Sequence, residues 1–147
     1  MNFTFDNYLF SDIHKDAYGC RPSSSDCNRW MDSTDEEKQQ WWDSMCETIR
    51  YENEMLAKSQ AKAIADFESR VEMNITLGAG DRHTAIRWIL DSFNPYELDF
   101  HGAEVVAYSL GLPYHGSLID EINCVIDDNR EDLLENGDPL ERLERYA

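Results

Sequence analysis

The sequence predicts an all-α fold: a helical bundle with one long central helix, at about residues 34–77, and several shorter helices after it. Apolar side chains recur every three or four residues along most of the chain, as they do on the buried face of a helix. Glycines, prolines and capping residues divide this pattern into segments. We find no stretch in which apolar and polar residues alternate, which is the pattern of a half-buried strand.

The first helical segment is predicted at residues 6–18, where four apolar side chains share one face. They are Leu9, Phe10, Ile13 and Ala17. Gly19 follows at the position where glycine often ends a helix, and Pro22 comes soon after. We expect residues 23–26 to form a loop or the cap of a short helix that contains Trp30.

The long helix is predicted to begin after Thr34, because three acidic residues then occupy its first turn. No proline or glycine interrupts the chain before Gly78. Residues 58–62 are polar, so we expect the helix to bend, break or run exposed there. A stripe near heptad spacing precedes them, and we predict that it mediates self-association in a homodimer. Its members are Trp42, Met45, Ile49 and Leu56.

Shorter helices are predicted for the rest of the chain, each limited by glycine, proline or a capping residue. Asp81 caps a helix that Asn94-Pro95 stops, and residues 102–110 form the next one. Further helices are predicted at residues 117–136 and from Pro139 to Tyr146. We interpret residues 1–147 as a single domain. Its parts are an N-terminal helix and loop (1–32), the long helix (33–78) and an acidic helical region (79–147).

The composition is strongly acidic. Thirty Asp and Glu residues against 13 Lys and Arg residues give a net charge of −17 at pH 7. From Asp91 onward there are 14 acids and three bases, and no Lys or Arg occurs between Arg87 and Arg130. Because phosphates repel such a surface, we expect no direct binding of nucleic acid. The charge favours a nucleic-acid-binding protein with a basic groove as partner. The alternative is that acidity only confers solubility.

Targeting signals are not recognisable in the sequence. The N-terminus lacks the basic residues and apolar run of a signal peptide, and no segment has the ~20 apolar residues of a membrane span. We therefore expect a cytoplasmic protein without a membrane partner, with its four cysteines reduced.

Catalytic and metal-binding motifs are also not recognisable, and we predict no catalytic residue, metal or cofactor. Cys20 and Cys27 are spaced unlike the ligands of a structural zinc site. His14 lies between Asp12 and Asp16, an arrangement suited to acid–base chemistry, but a solvated helix face is the simpler interpretation. An enzyme with an unfamiliar site remains an alternative.

The segment from Val105 to Leu118 resembles a helix-turn-helix, with Ala107 and Gly111 at the spacing of its tight turn. A transcriptional regulator is therefore the second functional hypothesis. The following helix would have to read DNA, yet it carries acids and lacks the bases that phosphate contacts need.

Partner-binding candidates are the acids of residues 117–144, together with large residues that are common in interfaces. The acidic candidates are Asp120, Glu121, Asp127, Asp128, Glu131, Asp132 and Glu135. The large candidates are Trp41, Arg87 and Trp88, although Arg87 is also suited to neutralising a carboxylate within the fold. Trp41 and Trp42 are adjacent and cannot both face one core.

Two segments carry a family resemblance. They are FSDIHKDAYGCRP at residues 10–22, and GAGDRHTAIRW at residues 78–88 continuing to LGLPY at residues 110–114. These segments resemble small acidic proteins encoded by bacteriophages and prophages. The resemblance implies a protein that acts in the cytoplasm of a bacterial host, and it supplies no catalytic residues. It favours an inhibitor of a host defence or nucleic-acid-processing enzyme, of the anti-CRISPR or anti-restriction kind, which acts as a DNA mimic. A structural or adaptor phage protein is the alternative.

Overall fold

A computed structural model describes residues 2–135, with side chains up to residue 132. Helices and no strands occur in this part of the chain, which confirms the all-α prediction. The eight α-helices of residues 2–135 are α1 (Phe10–Tyr18), α2 (Ser24–Asp32), α3 (Asp35–Asn74), α4 (Arg82–Leu90), α5 (Pro95–His101), α6 (Ala103–Leu110), α7 (Ser117–Asp128) and α8 (Arg130–Glu135). Contacts divide the chain, which the sequence analysis treats as one domain, into two compact units. Unit 1 is Met1–Ala57 and unit 2 is Lys58–Ala147.

The first two helices begin and end at local signals. Gly19 ends α1 in the left-handed conformation with φ 79°, as its sequence position indicates. Ser23 and Asp26 cap α2 reciprocally, because each side chain accepts a hydrogen bond from the other residue's backbone N–H. Residues 23–26 are therefore the start of a helix that contains Trp30.

The core of unit 1 is rich in aromatic residues. Trp30 stacks on Phe10 with 4.2 Å between ring centroids, and Trp41 packs edge-on against both. His14 is buried beside them, and its Nδ1 donates a hydrogen bond to the carbonyl of Cys20 at 2.7 Å. His14 thus ties the end of α1 to the loop that follows, and it is buried instead of lying on the solvated helix face that the sequence suggested.

The long helix α3 has 40 residues and extends about 60 Å at 1.5 Å per residue. It begins after Thr34 as predicted, and Thr34 and Glu37 form a reciprocal cap at its start. A wide π-helical turn, Ile75–Ala79, follows its end, and Gly78 leaves the helical conformation there with φ 123°. Every side chain from residue 51 to residue 59 is exposed, so this stretch is continuous helix without an apolar core around it.

Unit 2 contains a helix that the sequence analysis missed. Asn94-Pro95 stops α4 as predicted, but the same pair also starts α5. The Asn94 side chain accepts a hydrogen bond from the N–H of Tyr96, and Pro95 takes the first helical position, where its missing N–H costs nothing. The helix predicted at residues 117–136 is interrupted at Asn129, which separates α7 from α8. The helix predicted from Pro139 lies outside the described residues.

The core of unit 2 lies between the end of α3 and helices α4 to α7. Its largest fully buried side chains are Phe67, Val71, Ile86, Ile89, Leu90, Leu98, Val106, Leu112, Ile122, Val125 and Ile126. Gly102 joins α5 to α6 with φ 64°, and a Cβ there would lie 2.8 Å from Oδ1 of Asn123. That oxygen accepts a hydrogen bond from the N–H of Ala103. Glycine at residue 102 therefore allows α7 to cap α6.

Candidate functional site

Arg82 is the centre of an ion-pair cluster in unit 2. Its guanidinium donates to both oxygens of Glu68, at 2.6 and 2.7 Å. It also donates to both oxygens of Glu121, with Nε–Oε2 and Nη2–Oε1 distances of 2.8 Å. Arg82 begins α4, Glu68 lies on α3 and Glu121 on α7, so one side chain joins three helices. Bidentate pairs of this kind fix direction as well as distance.

The cluster shifts the pKa values of Glu68 and Arg82. Hydrogen bonds from Arg82 stabilise the ionised carboxylate and lower the pKa of Glu68. Hydrogen bonds to Glu68 and then to Glu121 raise the pKa of Arg82, which stays cationic throughout the range in which proteins fold. A carboxyl group whose pKa falls on folding contributes stability above its unfolded pKa, and this contribution is lost as the pH falls.

Replacing Glu68 with glutamine is therefore expected to flatten the acid dependence of unit 2. The parent should lose stability as the pH falls from the unfolded pKa of Glu, about 4.3, through the lower folded pKa of Glu68. In Glu68→Gln, this loss should be smaller, while stability at pH 7 is already reduced. Thermal unfolding from pH 7 to pH 3 measures both effects.

Glu72→Gln is the matched control, because Glu72 lies one turn further along α3 and makes no ion pair among the described side chains. Its melting temperature should follow that of the parent at every pH. Equal acid dependence in Glu68→Gln and the parent would contradict the role given to this carboxylate.

Three other predicted acids pair with nearby bases. Asp128 lies 3.0 Å from Nε2 of His83. The Asp132 carboxylate lies 3.6 Å from the guanidinium of Arg87, so Arg87 neutralises a carboxylate within the fold. Arg130 contacts Asp127 at 3.5 Å and also Asp99 of α5 at 2.9 Å. The cationic start of α4 and the acids of α7 and α8 thus face each other.

Carboxylates nevertheless outnumber bases here. We call this region the acidic surface, and its eight carboxylates belong to Glu68, Asp99, Asp120, Glu121, Asp127, Asp128, Glu131 and Asp132. Within residues 2–132, whose side chains the structure describes, their guanidinium partners are Arg82, Arg87 and Arg130. Asp120 and Glu131 are exposed and have no ion pair among the described side chains. The surface therefore keeps a negative excess after its internal pairs are formed.

The remaining partner-binding candidates are Trp41, Trp88 and Glu135. Trp41 is half-buried in the aromatic cluster of unit 1, where the guanidinium of Arg29 lies 4.8 Å from its ring. Trp88 is partly exposed on α4. The side chain of Glu135 lies outside the described residues. The pairing of Glu68 and Glu121 with Arg82 was missed because these residues are 14 and 39 positions away from it in the sequence.

The stripe predicted for self-association is largely occupied within unit 1. Trp42 and Met45 are buried in its core, and Ile49 packs against them. Trp41 packs against the same core, so the expectation that the adjacent Trp41 and Trp42 cannot both face one core was wrong. Leu56 is 56% exposed, next to exposed Met55. The periodicity therefore identified a buried face, but helices of the same unit cover it, and Trp42 and Met45 are not accessible to a second copy.

The segment from Val105 to Leu118 forms the end of α6, a loop and the start of α7. Gly111 ends α6 with φ 72°, and Leu112 is buried beneath the loop. The exposed side chains of α7 include Asp120, Asp127 and Asp128, which would face phosphates if this helix entered a DNA groove. The helical hairpin is therefore present without a basic reading face.

The described residues contain no group of three or more side chains arranged to hold a metal ion. None of the described helices is both long enough and apolar enough to cross a membrane. Comparisons with protein-family models, with curated proteins and with solved structures give no match.

Proposed function

We propose that the protein binds and inhibits a nucleic-acid-processing enzyme of a bacterial host, such as a defence nuclease, by placing its acidic surface in the enzyme's basic groove. The bacterial setting follows from the resemblance of residues 10–22 and 78–114 to small acidic phage proteins. The acidic surface is the observation that carries the proposal.

The charge of this surface supports such a partner. Eight carboxylates against three guanidinium groups leave it strongly negative. A groove built to hold phosphates presents the opposite sign, so attraction raises the rate of encounter. Nucleic acid, in contrast, is repelled.

The ion pairs of the acidic surface also support the proposal, because they reduce the side-chain freedom that would be lost when a partner binds. Free carboxylate side chains pay an entropic cost when a partner immobilises them. Glu121, Asp128 and Asp132 are already held by bases on α4, so part of this ordering has occurred during folding. The surface is thus closer to a fixed array of negative charges than to a set of freely moving acids.

A charge-matched pair of variants tests the proposal. One variant carries Asp127→Asn, Asp128→Asn, Glu131→Gln and Asp132→Asn in the acidic surface. The control carries four equivalent changes at exposed acids of α3 in unit 1, namely Asp43→Asn, Glu47→Gln, Glu52→Gln and Glu54→Gln. The parent protein is immobilised to capture its partner from bacterial lysate, and the partner's affinity for each variant is then measured with and without duplex DNA.

The first variant is expected to bind about tenfold or more weakly than the control, although both have lost four negative charges. Raising the salt from 0.1 M to 1 M shortens the Debye length from ~10 Å to ~3 Å and should slow association. Duplex DNA should compete for the partner. Equal binding of the two variants, or simultaneous binding of DNA and the protein, would exclude the acidic surface as the contact with a nucleic-acid groove.

A further inference from the structure

A groove between α5 and α6 has no role in the acidic surface described above. Its volume is about 480 Å³. Glu97 and His101 of α5, Glu104, Val105 and Tyr108 of α6, and Tyr114 of the following loop line it. The sequence pattern did not predict α5, so the groove between α5 and α6 was not expected.

Two exposed aromatic rings line this groove, and a third contacts a residue that lines it. Tyr108 is 79% exposed and Tyr114 is 49% exposed, although both line the groove. Phe100 of α5 is 84% exposed and packs edge-on against His101 with 4.7 Å between ring centroids. A single exposed aromatic residue is ordinary, but several around one concave site are typical of a binding surface.

The charge of the groove is one-sided. Glu97 and Glu104 are exposed, and neither forms an ion pair among the described side chains. No Lys or Arg lines the groove, and the sequence contains none between Arg87 and Arg130. Arg130 itself is engaged by Asp99 and Asp127. The groove therefore offers two carboxylates and two phenol rings to a cation, and none of the described Lys or Arg side chains occupies it.

We propose that this groove binds an arginine side chain of the basic partner protein. A guanidinium is planar and can stack on the face of an aromatic ring while its N–H groups donate to carboxylates. Lysine carries the same charge on a compact, strongly hydrated ammonium, so it is expected to bind more weakly here. The inference rests on the proposed function for the identity of the partner, but the groove can be tested without that partner.

The probe is a blocked peptide of four arginines separated by glycines, titrated into the full chain. Matched peptides carry lysine, or citrulline, which keeps the shape of arginine without its charge. Calorimetry gives the affinity, and amide NMR shifts show where each peptide binds. The arginine peptide is expected to shift the amides of Glu97, Glu104 and Tyr108 and to bind more tightly than the lysine peptide. The citrulline peptide should not bind.

The test variant combines Glu104→Gln with Tyr108→Ala, and its affinity for the arginine peptide should be about tenfold lower than that of the parent. The control combines Glu52→Gln with Tyr51→Ala on α3, where both side chains are also exposed. The control loses the same charge and the same kind of ring, and its affinity should change less than about twofold. Equal weakening in both variants, or NMR shifts confined to residues outside the groove, would overturn the proposal.

The same groove variant is also tested against the captured partner, so that the two proposals can fail separately. One outcome overturns the arginine site alone. In it, partner binding depends on Asp127, Asp128, Glu131 and Asp132, but the peptide binds the groove variant as tightly as the parent. The opposite outcome overturns the proposed function and leaves the arginine site in place. In it, the groove variant weakens peptide binding, but replacing those four acids does not change partner binding.

Discussion

Replacing Phe67 with alanine is expected to lower the free energy of unfolding of unit 2 by about 3–5 kcal/mol. Phe67 is almost fully buried on α3 and belongs to the core shared with α4 and α7. Its removal loses the transfer free energy of the ring and leaves a cavity that close-packed neighbours fill only in part. Because small domains are stable by only ~5–15 kcal/mol, the loss is a large fraction of the total.

Urea unfolding, read from the amide NMR signals of α4 and α7, measures this loss within unit 2. Phe100→Ala is the matched control, since it removes the same ring from a position that is 84% exposed. That change should alter the stability by less than about 0.5 kcal/mol. Comparable losses in the two variants would show that Phe67 is not the core residue that its burial indicates.

The sequence predicted the helices best where a local signal marks their ends. Gly19, Thr34 and Asp81 each act at the position expected, because glycine and capping side chains act on backbone groups within a few residues. The same local interpretation failed at Asn94-Pro95. This pair ends one helix and caps the next, and only the second role reveals α5.

The candidate site was harder to predict, because it depends on contacts between distant parts of the chain. The acids of α7 and α8 were identified from the charge pattern, but Arg82 was noted only within residues 78–88, which carry the family resemblance. Its pairing with Glu68 and Glu121 needs three helices in place, which periodicity cannot supply. Periodicity likewise identified the buried face of Trp42 and Met45 without revealing that helices of unit 1 cover it.

Replacing Arg82 with alanine is expected to destabilise unit 2 by about 2 kcal/mol. The change removes every bond of the bidentate pairs and leaves Glu68 and Glu121 facing each other without a cation. The three side chains are each more than a third exposed, so water screens part of the loss and keeps it below that of a fully buried pair. Arg70→Ala is the control on α3, an exposed arginine without an ion pair among the described side chains, and should cost less than about 0.5 kcal/mol.

The loss of stability in Arg82→Ala has two causes that can be separated: the lost bonds to Arg82, and the repulsion between the carboxylates of Glu68 and Glu121. If repulsion between these two unpaired carboxylates dominates, adding Glu68→Gln and Glu121→Gln to Arg82→Ala should restore more than half of the lost stability, since removing all partners costs less than removing one.

The Arg82→Ala variant also discriminates between net charge and fixed geometry as the cause of partner binding. Arg82→Ala makes the protein more negative but frees Glu121 from its fixed position. We expect faster dissociation of the captured partner from Arg82→Ala, measured by surface plasmon resonance at a temperature where the variant is folded. Tighter binding by Arg82→Ala would show that net charge alone, and not a fixed array of carboxylates, attracts the partner.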